Sequence, residues 1–158
     1  MRWAWWFLLA PQAHLLAGLW RDLGLPAFDM GVLWCLFLGF FAERRATPWL
    51  LLGAALSRAL VDESSLAVQA LVLGIPVALL LPMRTLFFGQ RWLWLTLAAA
   101  ACAFALPRLS AWFGVWFAQP SASAQADGAM VLWTAALAAP LLAVLRRLPP
   151  CRSFEESA

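Results

Sequence analysis

Apolar residues gather in six runs, 3–20, 27–42, 47–61, 66–83, 92–117 and 128–145, parted by short polar or charged breaks. A bilayer's hydrocarbon core of about 30 Å takes about 20 residues at a helical rise of 1.5 Å, so runs of this kind predict membrane-spanning helices. The breaks are the loop 21–26, Glu43-Arg44-Arg45, Asp62-Glu63-Ser64-Ser65, the connection between Arg84 and Arg91 with Phe87, Phe88 and Gly89, and the polar stretch QPSASAQAD at 119–127. Pro48 suits the first turn of the third helix, where its missing N–H has no intrahelical role. Gly74 and Pro76 predict a kink in the fourth. The fifth run is too long for one perpendicular crossing. Either it tilts and kinks at Pro107, or it ends there and 109–117 lies at the interface, which Trp112 and Trp116 suit. The first run follows Arg2 and is interrupted by Pro11, Gln12 and His14, a trio expected to face neighbouring helices. A basic start also fits a secretory signal, but the later spans and the tryptophan-rich beginning favour an anchored helix.

Composition agrees with the pattern. Of 158 residues, 65% are hydrophobic and 12% charged, against about 45–50% and about 25% in soluble domains. The expectation is an all-α integral membrane protein: one bundle of about six transmembrane helices over 1–148, and a short polar cytoplasmic tail over 149–158. All eleven basic residues are arginines, and the net charge is +3. If both termini are cytoplasmic, Arg2, Arg44, Arg45, Arg84, Arg91, Arg146, Arg147 and Arg152 lie inside, and Arg21 is the one loop arginine outside. That asymmetry sets the orientation and explains the basic residues better than a nucleic-acid partner does.

Little in the chain points to catalysis. There is one histidine, His14, and the cysteines Cys35, Cys102 and Cys151 have no ligand neighbours at metal spacing, so neither a metal nor a cofactor is expected. No nucleophile–base pair can be assembled, which argues against an enzyme, and the runs lack the repeated polar faces that line a pore. The informative residues are charges inside apolar runs, since these are costly unless paired. Asp29 opens the second run, Arg58 lies about one turn before the end of the third, Asp62 closes it, and Arg108 lies in the fifth. These four form the candidate polar intramembrane or partner site. Arg58 is expected either to pair with Asp29 or to snorkel towards Asp62 at i+4, with Arg108 the lesser candidate for Asp29. In the third run Gly53 and Ser57, and likewise Ala55 and Ala59, stand four apart, which suits close helix packing within the chain or against a partner.

These features together resemble the bacterial rod shape-determining MreD family over residues 28–88. That family has Pro-Asp before its second span, where Phe28-Asp29 stands here. It then has a helix like GLLLDLLSG and a segment like PLGLHAL, where this chain reads ALSRALVDE at 55–63 and SLAVQAL at 65–71. Leu66, Ala70 and Leu71 fit. Gln69 replaces the usual histidine, and Ala59 falls at the usual aspartate with Arg58 beside it, so Asp62 offers a carboxylate one turn later. The resemblance implies a non-enzymatic scaffold in the bacterial cytoplasmic (inner) membrane, working in lateral peptidoglycan synthesis with an MreC-like membrane protein, MreB, RodA and a class B penicillin-binding protein. Its arginine-rich inner loops would meet anionic headgroups of the bilayer. The six-helix arrangement is shared with substrate-binding membrane subunits of energy-coupling-factor-type transporters. That alternative requires an outward pocket, for which Asp29, Arg58, Arg108, Trp112 and Trp116 are the candidate lining.

Overall fold

A computed structural model describes residues 2–24, 28–62, 64–84, 91–119, 127–152 and 154. The elements are all helices: α1 Arg2–Asp22, α2 Met30–Phe40, α3 Thr47–Asp62, α4 Leu66–Met83, α5 Arg91–Trp116, α6 Gly128–Arg147 and the single turn α7 Pro149–Arg152. Their starts are set by short polar side chains that take up backbone N–H groups left without intrahelical partners. Asp29 accepts from Gly31 N at 2.8 Å, Ser65 from Val68 N at 3.4 Å and Asp127 from Ala129 N at 3.2 Å. At the end of α5 the chain turns through Ala118 in the left-handed region (φ 50°), and Gln119 N reaches back to Gly114 O at 2.9 Å. Pro107 does not break α5, which runs unbroken to Trp116.

α2 is the axis of the bundle. It touches α1, α3, α4, α5 and α6, and every residue from Met30 to Gly39 is buried. The other helices surround it in the order α1, α3, α4, α5, α6, and α7 bridges α1 to α6. Successive helices run in opposite directions. Trp6 near the start of α1 donates to Leu50 O near the start of α3, Asp29 before α2 meets Arg58 late in α3 and Thr134 early in α6, and Arg84 after α4 donates to Phe41 and Ala42 after α2.

This alternation segregates charge. The end holding the starts of α1, α3 and α5 and the ends of α2, α4 and α6 carries Arg2, Arg44, Arg45, Arg84, Arg91, Arg146, Arg147 and Arg152, while Asp22, Asp29, Asp62 and Asp127 lie at the opposite end. The arginine-rich end is closed by an aromatic cluster. Trp6 is fully buried, with its ring centroid 4.7 Å from that of Trp34 and 5.9 Å from that of Phe37. Phe154 packs at a tilt against Trp3, with ring centroids 4.6 Å apart, and its carbonyl accepts from Glu43 N at 2.7 Å. The C-terminal segment expected as a polar tail therefore folds back onto the bundle as far as it is described, with Cys151 and Phe154 fully buried. Two apolar residues within it supply the reason: they gain more in the aromatic cluster than in water.

The outer surface is apolar. Leu16, Leu60, Leu79, Leu93, Val115 and Leu132 all stand more than half exposed. α4, Trp92–Trp116 within α5, and α6 are each long and apolar enough to cross a membrane. α2, with 11 residues, rises only about 16 Å.

Candidate functional site

Five helices, α1, α2, α3, α4 and α6, bring polar residues together towards the end opposite the arginine-rich one. Arg58 is the hub. Its Nε donates to Asp62 Oδ2 at 3.0 Å and its Nη2 lies 3.8 Å from Asp29 Oδ2. Both pairings expected from the sequence therefore exist together, the nearer being the one within α3. The Arg58 and Asp29 side chains are 12% and 15% exposed, so both charges have largely left solvent, while Asp62 at 30% keeps a solvated edge. Neither carboxylate is held by Arg58 alone. Asp29 also caps α2, its N–H donating to Thr134 Oγ1 of α6 at 3.1 Å. Asp62 also accepts from Gln69 Nε2 at 3.4 Å, and the same amide donates to Ser64 Oγ at 2.6 Å. Ser65 N donates to Gln119 Oε1 at 2.8 Å, which ties the α3–α4 corner to the end of α5.

The network depends on Gly31. A methyl group there would sit 2.5 Å from Arg58 Nη1 and 3.0 Å from Asp29 Oδ1, so the guanidinium lies directly against the α2 backbone. With no side chain on that face of α2, the guanidinium can lie in this position, and a methyl there would force it to shift. His14 of α1 is buried and within electrostatic range of Arg58, Asp29 and Asp62. It faces neighbouring helices as expected, and its Nε2 has no hydrogen-bond partner among the described residues. The same is true of Arg58 Nη1 and Gln69 Oε1. With Trp34 Nε1 in the core, four buried polar atoms among the described residues are unmatched, which is unusual because each forgoes a hydrogen bond it had in water. Of the other two members of the α1 trio, Pro11 is half-buried and Gln12 is exposed.

Arg108 does not join this group. It is exposed on α5, donates to Phe104 O at 3.3 Å and lies over the Phe104 ring, 3.3 Å from its centroid. Trp112 and Trp116 are exposed beside it, and their rings pack on each other at 5.3 Å. The five residues that would line an outward ligand pocket thus divide between the bundle interior and the surface of α5. The small residues of α3 are used inside the chain. A methyl on Gly53 would lie 2.6 Å from Trp6 Nε1, and Ser57, fully buried, donates to Ala54 O at 2.8 Å. Ala55 is buried and Ala59 half-buried. Glu63 and the connection with Phe87, Phe88 and Gly89 lie outside the described residues. Among the described residues no group of three or more His, Cys, Asp and Glu side chains is placed to hold a metal ion.

Sequence reading did not find Gly31, Thr134 or Gln119. Thr134 is 105 residues from Asp29 and Gln119 is 54 from Ser65, and no local pattern encodes such pairings. Gly31, two residues after a capping aspartate, is the one signal that was open to reading. No known family, curated protein or solved structure matches the chain.

Proposed function

We propose that the chain is a multi-pass protein of the bacterial cytoplasmic membrane and a non-enzymatic scaffold of the MreD type, binding an MreC-like membrane protein within the machinery of cell elongation. The supporting observation is convergence. Asp29 matches the MreD pattern, Gln69 stands at its histidine position, and Arg58 and Asp62 flank Ala59 at its aspartate position; these four form one connected network across α2, α3 and α4. An Arg58-centred charge set stands beside the position of that pattern's aspartate, supported by Gln69 at the position of its histidine. In this reading the network fixes the geometry of the bundle, and no reaction takes place there.

The arginine-rich end faces the cytoplasm, with both termini on that side and about six segments in the membrane, following the bias of basic residues to the inner face. Because Gly53 and Ser57 already pack inside the chain, a partner's helix meets the outer face of α3 instead. There Trp49, Leu52, Leu56 and Leu60 stand exposed at helical spacing, an apolar stripe suited to helix packing. Affinity purification from native membranes tests the proposal. An MreC-like chain is expected to co-purify, and Leu52→Ala with Leu56→Ala is expected to weaken its retention while the bundle stays folded. A purified protein carrying a stoichiometric small molecule and no partner chain would instead mark a transport subunit and overturn the scaffold. C-terminal reporter fusions active only outside the cytoplasm would overturn the orientation.

A further inference from the structure

A second feature, away from the charge network, is a groove between α4 and α5 with a volume of about 360 Å³, within the range of about 300–1,000 Å³ typical of small-ligand sites. Every side chain lining it is apolar, and its rim opens sideways at Leu79 and Leu97, 65% and 59% exposed. The α5 wall is kept low by Ala98, Ala101 and Ala105, which recur at i, i+3 and i+7 and leave room that larger residues would fill. From Trp94 to Leu109 the α5 wall spans 16 residues, about 22 Å of helix, so the groove is elongated and runs along the helix axis.

One end of the groove differs from the other. Phe40, Met83 and Trp94 line it towards the arginine-rich end of the bundle. Arg84 follows Met83 directly and donates to Ala42 O at 2.9 Å, while Arg146 lies 4.1 Å over the ring of Phe41, the residue after Phe40. Arg44, Arg45 and Arg147 are exposed at the same end, where Glu43 is the one acidic residue among those described. A long apolar groove with cations gathered at one end matches an amphiphile with a hydrocarbon tail and a negative head.

We infer that this groove holds an acyl chain of an anionic phospholipid whose headgroup is bound at the arginine-rich end by Arg84, Arg146 and their neighbours. The inference rests on the chain's being embedded in a bilayer and is independent of the scaffold reading. Each arginine that meets the headgroup is worth about a fivefold preference for an anionic over a zwitterionic lipid.

Native mass spectrometry of the full chain, released from micelles doped equally with phosphatidylglycerol and phosphatidylcholine, tests this. One phosphatidylglycerol is expected to remain bound in clear preference to phosphatidylcholine. Ala101→Phe is expected to abolish retention, and Arg146→Gln to reduce the preference about fivefold. A phosphatidylglycerol with a photoreactive acyl chain is expected to label α4 and α5, a readout on the wild-type protein that does not depend on any variant folding. Equal retention of both lipids, undiminished retention in a folded Ala101→Phe protein, or labelling spread over α1 and α6 would overturn the inference. Labelling blocked by a co-purifying protein chain would also overturn it, since the groove would then belong to a partner helix. Intact lipid retention with no MreC-like chain in the purification would count against the scaffold alone.

Discussion

Replacing Arg58 with methionine keeps an unbranched apolar stem and removes the charged guanidinium, leaving Asp29 and Asp62 to face each other in a poorly solvated site. Two unit charges about 4 Å apart attract with about 4 kcal/mol at an effective dielectric of 20, and the 3.8 Å and 3.0 Å separations of Arg58 from its carboxylates are of that order. The desolvation of three ions offsets most of this gain, so the intact network adds little net stability. Breaking it is different, because an orphaned buried charge costs about 3–5 kcal/mol. Asp62 is 30% exposed and is relieved by water, which places Arg58→Met near 3 kcal/mol, at the lower end of that range. Asp29→Asn should cost about 1 kcal/mol, since asparagine still caps α2 and Arg58 keeps Asp62. The double variant no longer buries an unpaired Asp29, so it should recover about 1–2 kcal/mol relative to the sum of the single changes. Cys35, Cys102 and Cys151 are all buried thiols, so a thiol-reactive dye reports unfolding during an SDS titration in mixed micelles without any introduced label. A cost below about 1 kcal/mol for Arg58→Met, or strict additivity in the double variant, would refute the argument that Arg58 holds two carboxylates in the bundle.

Three further changes probe other joints. Gly53→Ala puts a methyl 2.6 Å from Trp6 Nε1, so it should displace that ring, weaken its 3.2 Å bond to Leu50 O and lower stability by about 1–3 kcal/mol, with a change in tryptophan fluorescence as its signature. Phe154→Ala empties a fully buried place in the aromatic cluster and should cost about 3–5 kcal/mol in the same titration. A loss under about 1 kcal/mol would mean that the C-terminal segment is only lightly docked. Ala118→Gly relieves a left-handed alanine and should raise the unfolding midpoint, by about 0.5–1 kcal/mol in stability, because glycine adopts that conformation without a Cβ penalty.

The architecture could be read where local chemistry decides it. The α3–α4 corner follows from Asp62-Glu63-Ser64-Ser65, and Ser65 is in fact the cap of α4. The Arg58–Asp62 pair follows from i+4 spacing. Hydropathy was less informative about where helices stop: the run 27–42 yields a helix only from Met30 to Phe40, because Asp29 caps its start and Phe41 leaves helical geometry at its end. Pro107 offered two outcomes, and packing of α5 against α2, α4 and α6 holds the helix continuous through it. Hydropathy also misjudged Arg108 and Phe154, for opposite reasons. A charge within an apolar run suggests an interior pair, yet Arg108 satisfies itself on its own helix through Phe104. A lone phenylalanine among polar residues suggests a tail, yet Phe154 has Trp3 and Trp6 waiting for it.

The short central helix has a consequence for biogenesis. α2 contacts α4, α5 and α6, all of which are synthesised after it, and at about 16 Å it reaches only about half way across the hydrocarbon core. While the chain is still growing, α2 therefore has neither the length to settle as an independent span nor the neighbours that will enclose it. Its insertion must be completed in company, and the bundle can lock only when α6 arrives and Thr134 receives the N–H of Asp29. A ribosome stalled before α6 should accordingly leave a chain that is membrane-associated yet open to protease around α2, and release of α6 should close it.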